Sequence, residues 1–459
     1  MSGPRIVCIG GGSYHWTPRI LTDLANTPTL VDAEVVLYDI DLARAETMAE
    51  LGQAIATRRG IGLTVRAEAD RRTALVGADF VVTSFSVGGF DSMRHDLEIP
   101  ERYGIVQPIG DSVGPGGIMR ALRSIPVLLD IAHDVEAIAP DAWLLNVTNP
   151  LTALCRAVTQ ETACKTVGLC NEFVGATFVL SLLFDCGLHE IDAVLAGVNH
   201  FPIATALTVR GSDAFEPLRA LLRGEGIESA LWMEPPPAMG WDKVSSGPHW
   251  TKGDVLANNA VRVELFRRFG VFVCSGDHHS TEFVPGFVHE ANDHGANRRV
   301  HIYRLARHMA DAAEDVTDYE ALRDAEDVST MPSGELVVSV IDALSGGRPR
   351  RLPVNVPNRS NVTNLPEGAV VEVMAELDES GVHARDNATV PGVMGEWLRR
   401  VNVAQELTVE AARTGDAELV LEAMLADNAG AALGYDDVVA MTDEMLTATA
   451  PWLPQFARR

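Results

Sequence analysis

An α/β fold is what this sequence predicts, with a doubly wound parallel sheet followed by an α+β second domain. Three observations carry that prediction. Short apolar runs alternate with amphipathic stretches from Arg5 to Leu169, a glycine-rich turn directly follows the first run, and the alternation breaks down beyond it. Arg5–Ile9, Glu34–Tyr38, Leu63–Ala67, Phe80–Phe85, Trp143–Val147 and Thr166–Leu169 read as strands. They are runs of Val, Ile and Leu rather than alternating patterns, which is how strands covered on both faces look. Pro18–Ala25, Leu42–Arg58, Ile118–Ile138 and Leu151–Thr159 carry helical periodicity between them. Strand, helix, strand in succession implies right-handed crossovers and parallel pairing.

The second half is less regular. Ile191–Val198 and Ala204–Val209 read as strands, Phe215–Arg223 and Ala260–Phe269 as helices, and Glu396–Leu446 as mostly helical. Gly224–Gly253 holds Pro235-Pro236-Pro237 with Trp232, Trp241 and Trp250, an aromatic loop that suits a lid, a pocket rim or an interface. The acidic stretch Asp311–Asp327 reads as a solvated helical face. We place the domain boundary so that 1–188 and 189–459 form the two domains.

The 459 residues carry 37 Lys+Arg against 63 Asp+Glu, a net charge of −26. That balance argues against nucleic acid and anionic membranes as partners, because a phosphate-binding surface is built from Lys and Arg. Six cysteines without a Cys-x-x-Cys pair make neither a disulfide framework nor a zinc ribbon. No apolar run approaches the roughly 20 residues that span a bilayer, and the chain opens directly into Arg5-Ile-Val-Cys-Ile9. A cytoplasmic enzyme is the expectation.

Ile9 is followed by Gly10-Gly11-Gly12-Ser13-Tyr14-His15 at the opening of a helix. Glycines let the backbone turn tightly there, and N–H groups at a helix start can hold a pyrophosphate. His15 stands where a dinucleotide fingerprint has its third glycine. Asp39 ends the second strand, where a carboxylate can accept both ribose hydroxyls and repel a 2′-phosphate. Together they predict a Rossmann-like domain that binds NAD rather than NADP, as in the lactate/malate dehydrogenase-like architecture.

Further polar clusters fall at strand ends. Asn146-Val-Thr-Asn149-Pro150 follows the fifth strand, where amide side chains can hold ribose or sugar hydroxyls, or where Asn-Pro simply starts a turn. Cys170-Asn171-Glu172 and Asn199-His200 end two other runs. Cys274-Ser-Gly-Asp277-His278-His279-Ser-Thr-Glu282 has the composition of a metal-ligand cluster, and equally of a loop with an N-capping acid. Gly110-Asp111-Ser112-Val113-Gly114-Pro115-Gly116-Gly117 precedes a helix and could wrap a cofactor or substrate.

These residues, in this order, resemble the family-4 glycoside hydrolases. The resemblance runs from about residue 5 to about 430. It takes in Gly10–Ser13, Gly88-Gly89 with Arg94, Gly114–Gly117 with Arg120, Arg123 and Pro126, and Asn146–Pro150. It continues through Cys170-Asn171, Asn199-His200, Val261–Gly270, His278, Glu282, Asn364-Leu-Pro, Val371-Glu372-Val and Gln405-Glu-Leu-Thr. The stretch from Val261 to Phe287 looks nearest to the α-galactosidase and α-glucuronidase branch.

The resemblance implies a catalytic cycle in which NAD takes hydride from C3 of the sugar. A divalent metal, usually manganese, would polarise the resulting carbonyl and make the C2 proton acidic. A base removes that proton, the aglycone leaves from C1, water adds, and the hydride returns, so the net reaction is hydrolysis. It also implies Cys170 and His200 as metal ligands, Asn149 and Arg94 near the sugar, and a dimer or tetramer.

Where the chain departs from the family pattern, roles stay open. Some members use a tyrosine as the C2 base, but none occurs between Tyr103 and Tyr303. Asp254 lies in the matching interval and is preferred, with Asp277 as its rival. Asn171 cannot act as a general acid near neutral pH. His249, Lys252, His278, His279 and Arg359 could meet an anionic C6 group, as in a galacturonide, glucuronide or sulfoquinovoside. A neutral α-galactoside is the other substrate class. Two competing readings share the Rossmann core: a plain NAD-dependent dehydrogenase acting on a sugar or 2-hydroxy acid, and a non-catalytic NAD-binding regulator.

Overall fold

The computed structural model describes residues 3–222 and 252–457. Its main sheet has nine strands in the order β13-β12-β11-β6-β5-β4-β1-β2-β3. Six are the predicted parallel strands: β1 (Arg5–Ile9), β2 (Glu34–Tyr38), β3 (Thr64–Ala67), β4 (Phe80–Thr83), β5 (Trp143–Asn146) and β6 (Lys165–Gly168). Along β1, Val7 and Ile9 face one apolar cluster while Ile6 and Cys8 face the other. Alternate residues of one strand thus seed two separate cores, the reason the run shows no polar alternation.

Crossover helices cover both faces. They are α1 (Trp16–Ala25), α2 (Leu42–Arg59), α3 (Arg71–Leu75), α4 (Gly89–Arg102), α5 (Gly114–Ile138), α6 (Leu151–Glu161) and α7 (Glu172–Phe184). α2 ends at Gly60 in the left-handed region, with Arg58 and Arg59 in its last turn, as helix-end chemistry favours. Strand order reverses between β1 and β4, so a crevice opens at their carboxyl ends.

A second sheet holds β7 (Ile191–Val198), β8 (Phe201–Val209), β9 (Ser212–Asp213) and β10 (Phe272–Val273). The helices expected at Phe215–Arg223 and Ala260–Phe269 are present, the first described over Phe215–Leu222, and the carboxyl-terminal region is helical over Gly392–Thr414, Ala417–Ala426 and Tyr435–Ala448. Most of the acidic stretch, up to Asp324, lies in the helix Leu305–Asp324, where Asp315 turns inward to pair with His15 and Arg19.

β11 (Arg350–Pro357), β12 (Val370–Asp378) and β13 (Gly381–His383) were not expected from the sequence. They extend the first sheet antiparallel to β6, so late sequence completes an early sheet. Pro353 and Pro357 mask β11, because proline ordinarily marks a chain segment as unfit for ladder pairing. The aromatic Gly224–Gly253 segment lies almost wholly outside the described residues, with Trp232, Trp241, His249 and Trp250.

Candidate active site

The glycine turn is held from below. Gly10 and Gly11 N–H both donate to the Tyr38 carbonyl at 2.9 Å, and Gly12 N–H donates to Asp39 Oδ2 at 2.9 Å. Gly10 has φ +89°, and a side chain at Gly11 would stand 2.8 Å from Leu37 Cβ, so both positions require glycine. Ser13 Oγ accepts from Trp16 N–H at the start of α1, which fixes the turn to the helix. His15 fills the position of the missing third glycine, and its ring pairs with Asp315 at 3.0 Å.

Asp39 is half-buried, and its other oxygen accepts Asp41 N–H at 3.0 Å. An ionised carboxylate offers about four acceptor directions. Two are used here, leaving two for a diol. These residues therefore fit a dinucleotide, with its pyrophosphate at the α1 start and a ribose at Asp39.

Asn146 is fully buried at the end of β5. Its Oδ1 accepts Thr83 Oγ1 and Thr148 N–H, and its Nδ2 donates to the Thr148 carbonyl and Cys155 Sγ. The amide is saturated by the protein and shapes the turn that presents Asn149. Asn149 itself points its Nδ2 at Asp111 Oδ2 (2.8 Å) and accepts Asn199 Nδ2 (3.2 Å) on Oδ1.

His200 and Asn199 form the two-residue turn between β7 and β8. His200 has φ +65°, a left-handed position that usually goes to glycine or asparagine. Its ring lies 3.8 Å, centroid to centroid, from that of His279, which is 4.5 Å from that of His278. Asp111, His200 and His279 bring three potential ligand atoms within 4.8 Å of one another, as do Glu172, His278 and His279. Cys170 is in neither group. It sits half-buried at the end of β6 against Leu151, Cys155 and Val370, and burial plus the charges of Glu372 and Glu172 push its thiol well above the usual range.

Ser112 settles the tautomer of His200. Its single hydroxyl proton donates to Asp111 Oδ1 at 2.7 Å, so its oxygen accepts from His200 Nδ1 at 2.8 Å. In the neutral ring this leaves Nε2 with the lone pair. Burial, then the neighbouring imidazoles, hold His278 down to about 3 and His279 well below its ordinary value, so both stay neutral. His279 Nδ1 is buried without a hydrogen-bond partner. Burial raises the Asp111 carboxyl, while the Arg120 guanidinium and the Ser112 hydroxyl that donates to it favour the ionised form. Neutral imidazoles with one ionised carboxylate are a donor set that fits manganese or a similar divalent ion.

The other predicted residues take varied places. Both oxygens of Asp277 accept backbone N–H groups, from Val261 (2.8 Å) and Arg262 (3.0 Å), at the start of the helix Ala260–Phe269. Burial pushes its carboxyl up to about 6, against Arg262 and those two hydrogen bonds. Asn171 precedes α7 and donates to Glu335 at 3.1 Å. Lys252 is exposed and pairs with Asp185 at 2.8 Å, and Arg94 is half-exposed against Glu98 at 3.5 Å. Asp254 belongs to the helix Lys252–Ala257, but its side chain lies outside the described residues. Nothing local in the glycine loop marks Asp111 as a donor, and Glu172 is hidden in the same way beside Cys170.

A Rossmann-type sheet with imidazoles and carboxylates gathered beside its carboxyl edge defines an enzyme for small polar molecules. The family-4 glycosyl hydrolase model matches residues 5–184, and the model of that family's C-terminal domain matches 195–429. The chain belongs to this family and is a glycoside hydrolase. It is 30% identical to an α-galactosidase of Bacillus subtilis (strain 168), over 98% of this chain and 99% of the relative. It is also 30% identical to an α-galacturonidase of Thermoanaerobacterium saccharolyticum (strain DSM 8691 / JW/SL-YS485), over 98% and 96%. Among solved structures, the 6-phospho-β-glucosidase of Thermotoga maritima, determined with manganese, NAD+ and glucose 6-phosphate, superposes with a TM-score of 0.77 at 21% identity, covering 98% of this chain and 99% of that one.

Proposed function

We propose that the protein hydrolyses α-glycosides of galactose or its uronic acid, using NAD and a divalent cation such as manganese. The observation that carries this is the Asp111–His200–His279 cluster beside the Asn149 turn, at the carboxyl end of a sheet whose glycine turn fits a dinucleotide. When bound, NAD supplies a hydride acceptor and the metal a Lewis acid, which together make the proton at C2 of the sugar acidic.

The chain's own residues do the rest. Gly10–Ser13 and Asp39 hold the dinucleotide, while Asn146 braces the turn that aims Asn149 at the sugar. His200, with Ser112 beside its Nδ1, would offer Nε2 to the metal, and Cys170 is the second ligand that the family resemblance implies. Asp254 removes the C2 proton. Asp277 is the less favoured base, because both its oxygens already carry a helix start. The aglycone leaves by elimination and takes its proton from solvent, because the Asn171 amide has none to give near neutral pH. Residues 1–188 hold the cofactor and also contribute Asp111, Asn149 and Cys170 to the sugar and metal end, to which residues 189–459 add His200 and His279. We further propose a homodimer or homotetramer in the cytoplasm; among the described residues no helix is long and apolar enough to cross a membrane.

The test is a panel of nitrophenyl α- and β-glycosides (galactoside, galacturonide, glucuronide, sulfoquinovoside) assayed in D2O with NAD and manganese. Nitrophenol release that requires NAD, with deuterium entering at C2, is the expected result. NADH accumulating without nitrophenol would make the protein a plain sugar dehydrogenase instead.

A further inference from the structure

Arg120 lies in the second turn of α5, and its guanidinium is half-buried. Its Nε donates to the Asn149 carbonyl at 3.1 Å. No carboxylate oxygen comes within 4.0 Å of it among the described residues, and its two terminal nitrogens have no hydrogen bond there. Other buried guanidinia nearby have both terminal nitrogens matched. Arg123, on the same helix, is 3% exposed and forms a two-bond pair with Asp96 at 2.8 and 2.6 Å. Arg262 donates from all three nitrogens, to Val273, Asn259 and Ser275. Burying a cation is costly unless an anion or a full set of acceptors compensates it. At Arg120, Asp111 and Asp96 offset part of that cost from beyond pairing distance.

The position of this unmatched fork is specific. The residue it grips, Asn149, bonds to both Asp111 and Asn199, so the guanidinium stands one residue from the ligand cluster. Asn199 Oδ1 is buried there without a partner, an acceptor suited to a sugar hydroxyl. A planar pair of terminal N–H groups matches a carboxylate with two parallel hydrogen bonds.

We propose that Arg120 binds the C6 carboxylate of the sugar, which makes the substrate a hexuronide rather than a neutral galactoside. This rests on the glycosidase reading above and assigns the substrate class within it. The cofactor's pyrophosphate is the rival anion, but the glycine turn and the start of α1 already provide its site.

Wild type, Arg120→Met and Arg120→Lys are to be compared on nitrophenyl α-galacturonide and α-galactoside with NAD and manganese. Galacturonate and galactose binding are measured alongside by calorimetry, and NAD affinity by titration. The expected result is a wild-type preference for the galacturonide, and a fall in the kcat/KM ratio of about 100-fold in Arg120→Met. Arg120→Lys, which keeps the charge and stem but not the fork, should lower the ratio by about 10-fold and weaken galacturonate binding in parallel. An unchanged ratio in both variants overturns the assignment and leaves the glycosidase reading standing. Equal losses on both sugars with weakened NAD binding also overturn it, by moving Arg120 to the cofactor. A wild type that cleaves no glycoside with NAD and manganese removes the glycosidase reading, and this inference with it.

Discussion

The two ends of the site are built on opposite principles. Around the glycine turn and Asn146, the protein answers its own polar groups: Tyr38, Asp39, Thr83 and Thr148 take nearly every donor and acceptor. Around His200, polar groups are gathered and left open. His279 Nδ1, Asn199 Oδ1 and one oxygen of Glu282 are buried with no partner. Saturated groups fix a shape, whereas open ones hold a place for a ligand, at a cost in stability that only binding repays. One end of the crevice has the shape the proposed cofactor would need, and the other keeps donors open to the proposed metal and sugar.

The largest effect expected from this contrast is at His200. Replacing His200 by Ala removes a neutral nitrogen donor and the turn residue that presents it. Activity with NAD and manganese should fall by about 1,000-fold or more, since the metal's Lewis acidity supplies several kcal/mol. NAD affinity, measured by fluorescence titration, should be retained, and its joint loss would mean that the two ends are not separate. Cys170→Ser probes the same end less severely, because Cys170 stands outside both three-donor groups. A loss of about 10–100-fold, with a rise in the manganese concentration needed, is expected. Full activity at unchanged manganese demand would remove the cysteine from the site.

At the saturated end the expected losses are smaller. Asp39→Ala removes two acceptors for a ribose and the anchor for Gly12 N–H, so NAD should bind about 10–100-fold more weakly. Turnover at saturating NAD should stay near that of the wild type. A fall in turnover that no NAD concentration restores would show that the glycine turn reaches the chemistry as well.

The same contrast explains what could be read in advance. β1, the glycine turn, β2 and Asp39 lie within a few dozen residues, and their periodicity and spacing are local properties of the chain. The ligand cluster joins residues 111, 172, 200, 278 and 279, which no window of sequence brings together. His278-His279 was visible as a pair and Asp111 as part of a loop, but only the β7–β8 turn and the α5 loop place them side by side. The resemblance to a family pointed to Cys170 and His200, and the geometry adds Asp111 and His279 beside His200. β11–β13 stayed hidden for a different reason: prolines disguised the strand, and its partner, β6, lies far away in sequence. Asn146 shows the reverse case. Its position at a strand end marks a ligand site, while its actual work is to hold a turn from beneath.

Glu282 gives the finest test, because it belongs to both schemes. One oxygen accepts Ile109 and Gly110 N–H, at 2.8 and 2.7 Å, and so anchors the loop carrying Asp111; the other is buried without a partner. Burial, with the charges of Asp111 and Asp427, pushes its carboxyl from the usual 4.5 up to about 8, against the two backbone hydrogen bonds. The native acid therefore keeps its proton over a range where the unfolded one has lost it. The resulting stabilisation is fully present below about pH 4.5 and is lost as pH rises through about 8. Glu282→Gln keeps an oxygen for the two N–H groups and cannot ionise. Relative to wild type, its Tm should gain about 2–4 °C between pH 5 and pH 9 by scanning calorimetry. Parallel Tm curves for the two proteins would show that Glu282 ionises freely in the folded state, and that its open oxygen is served by solvent rather than held in reserve.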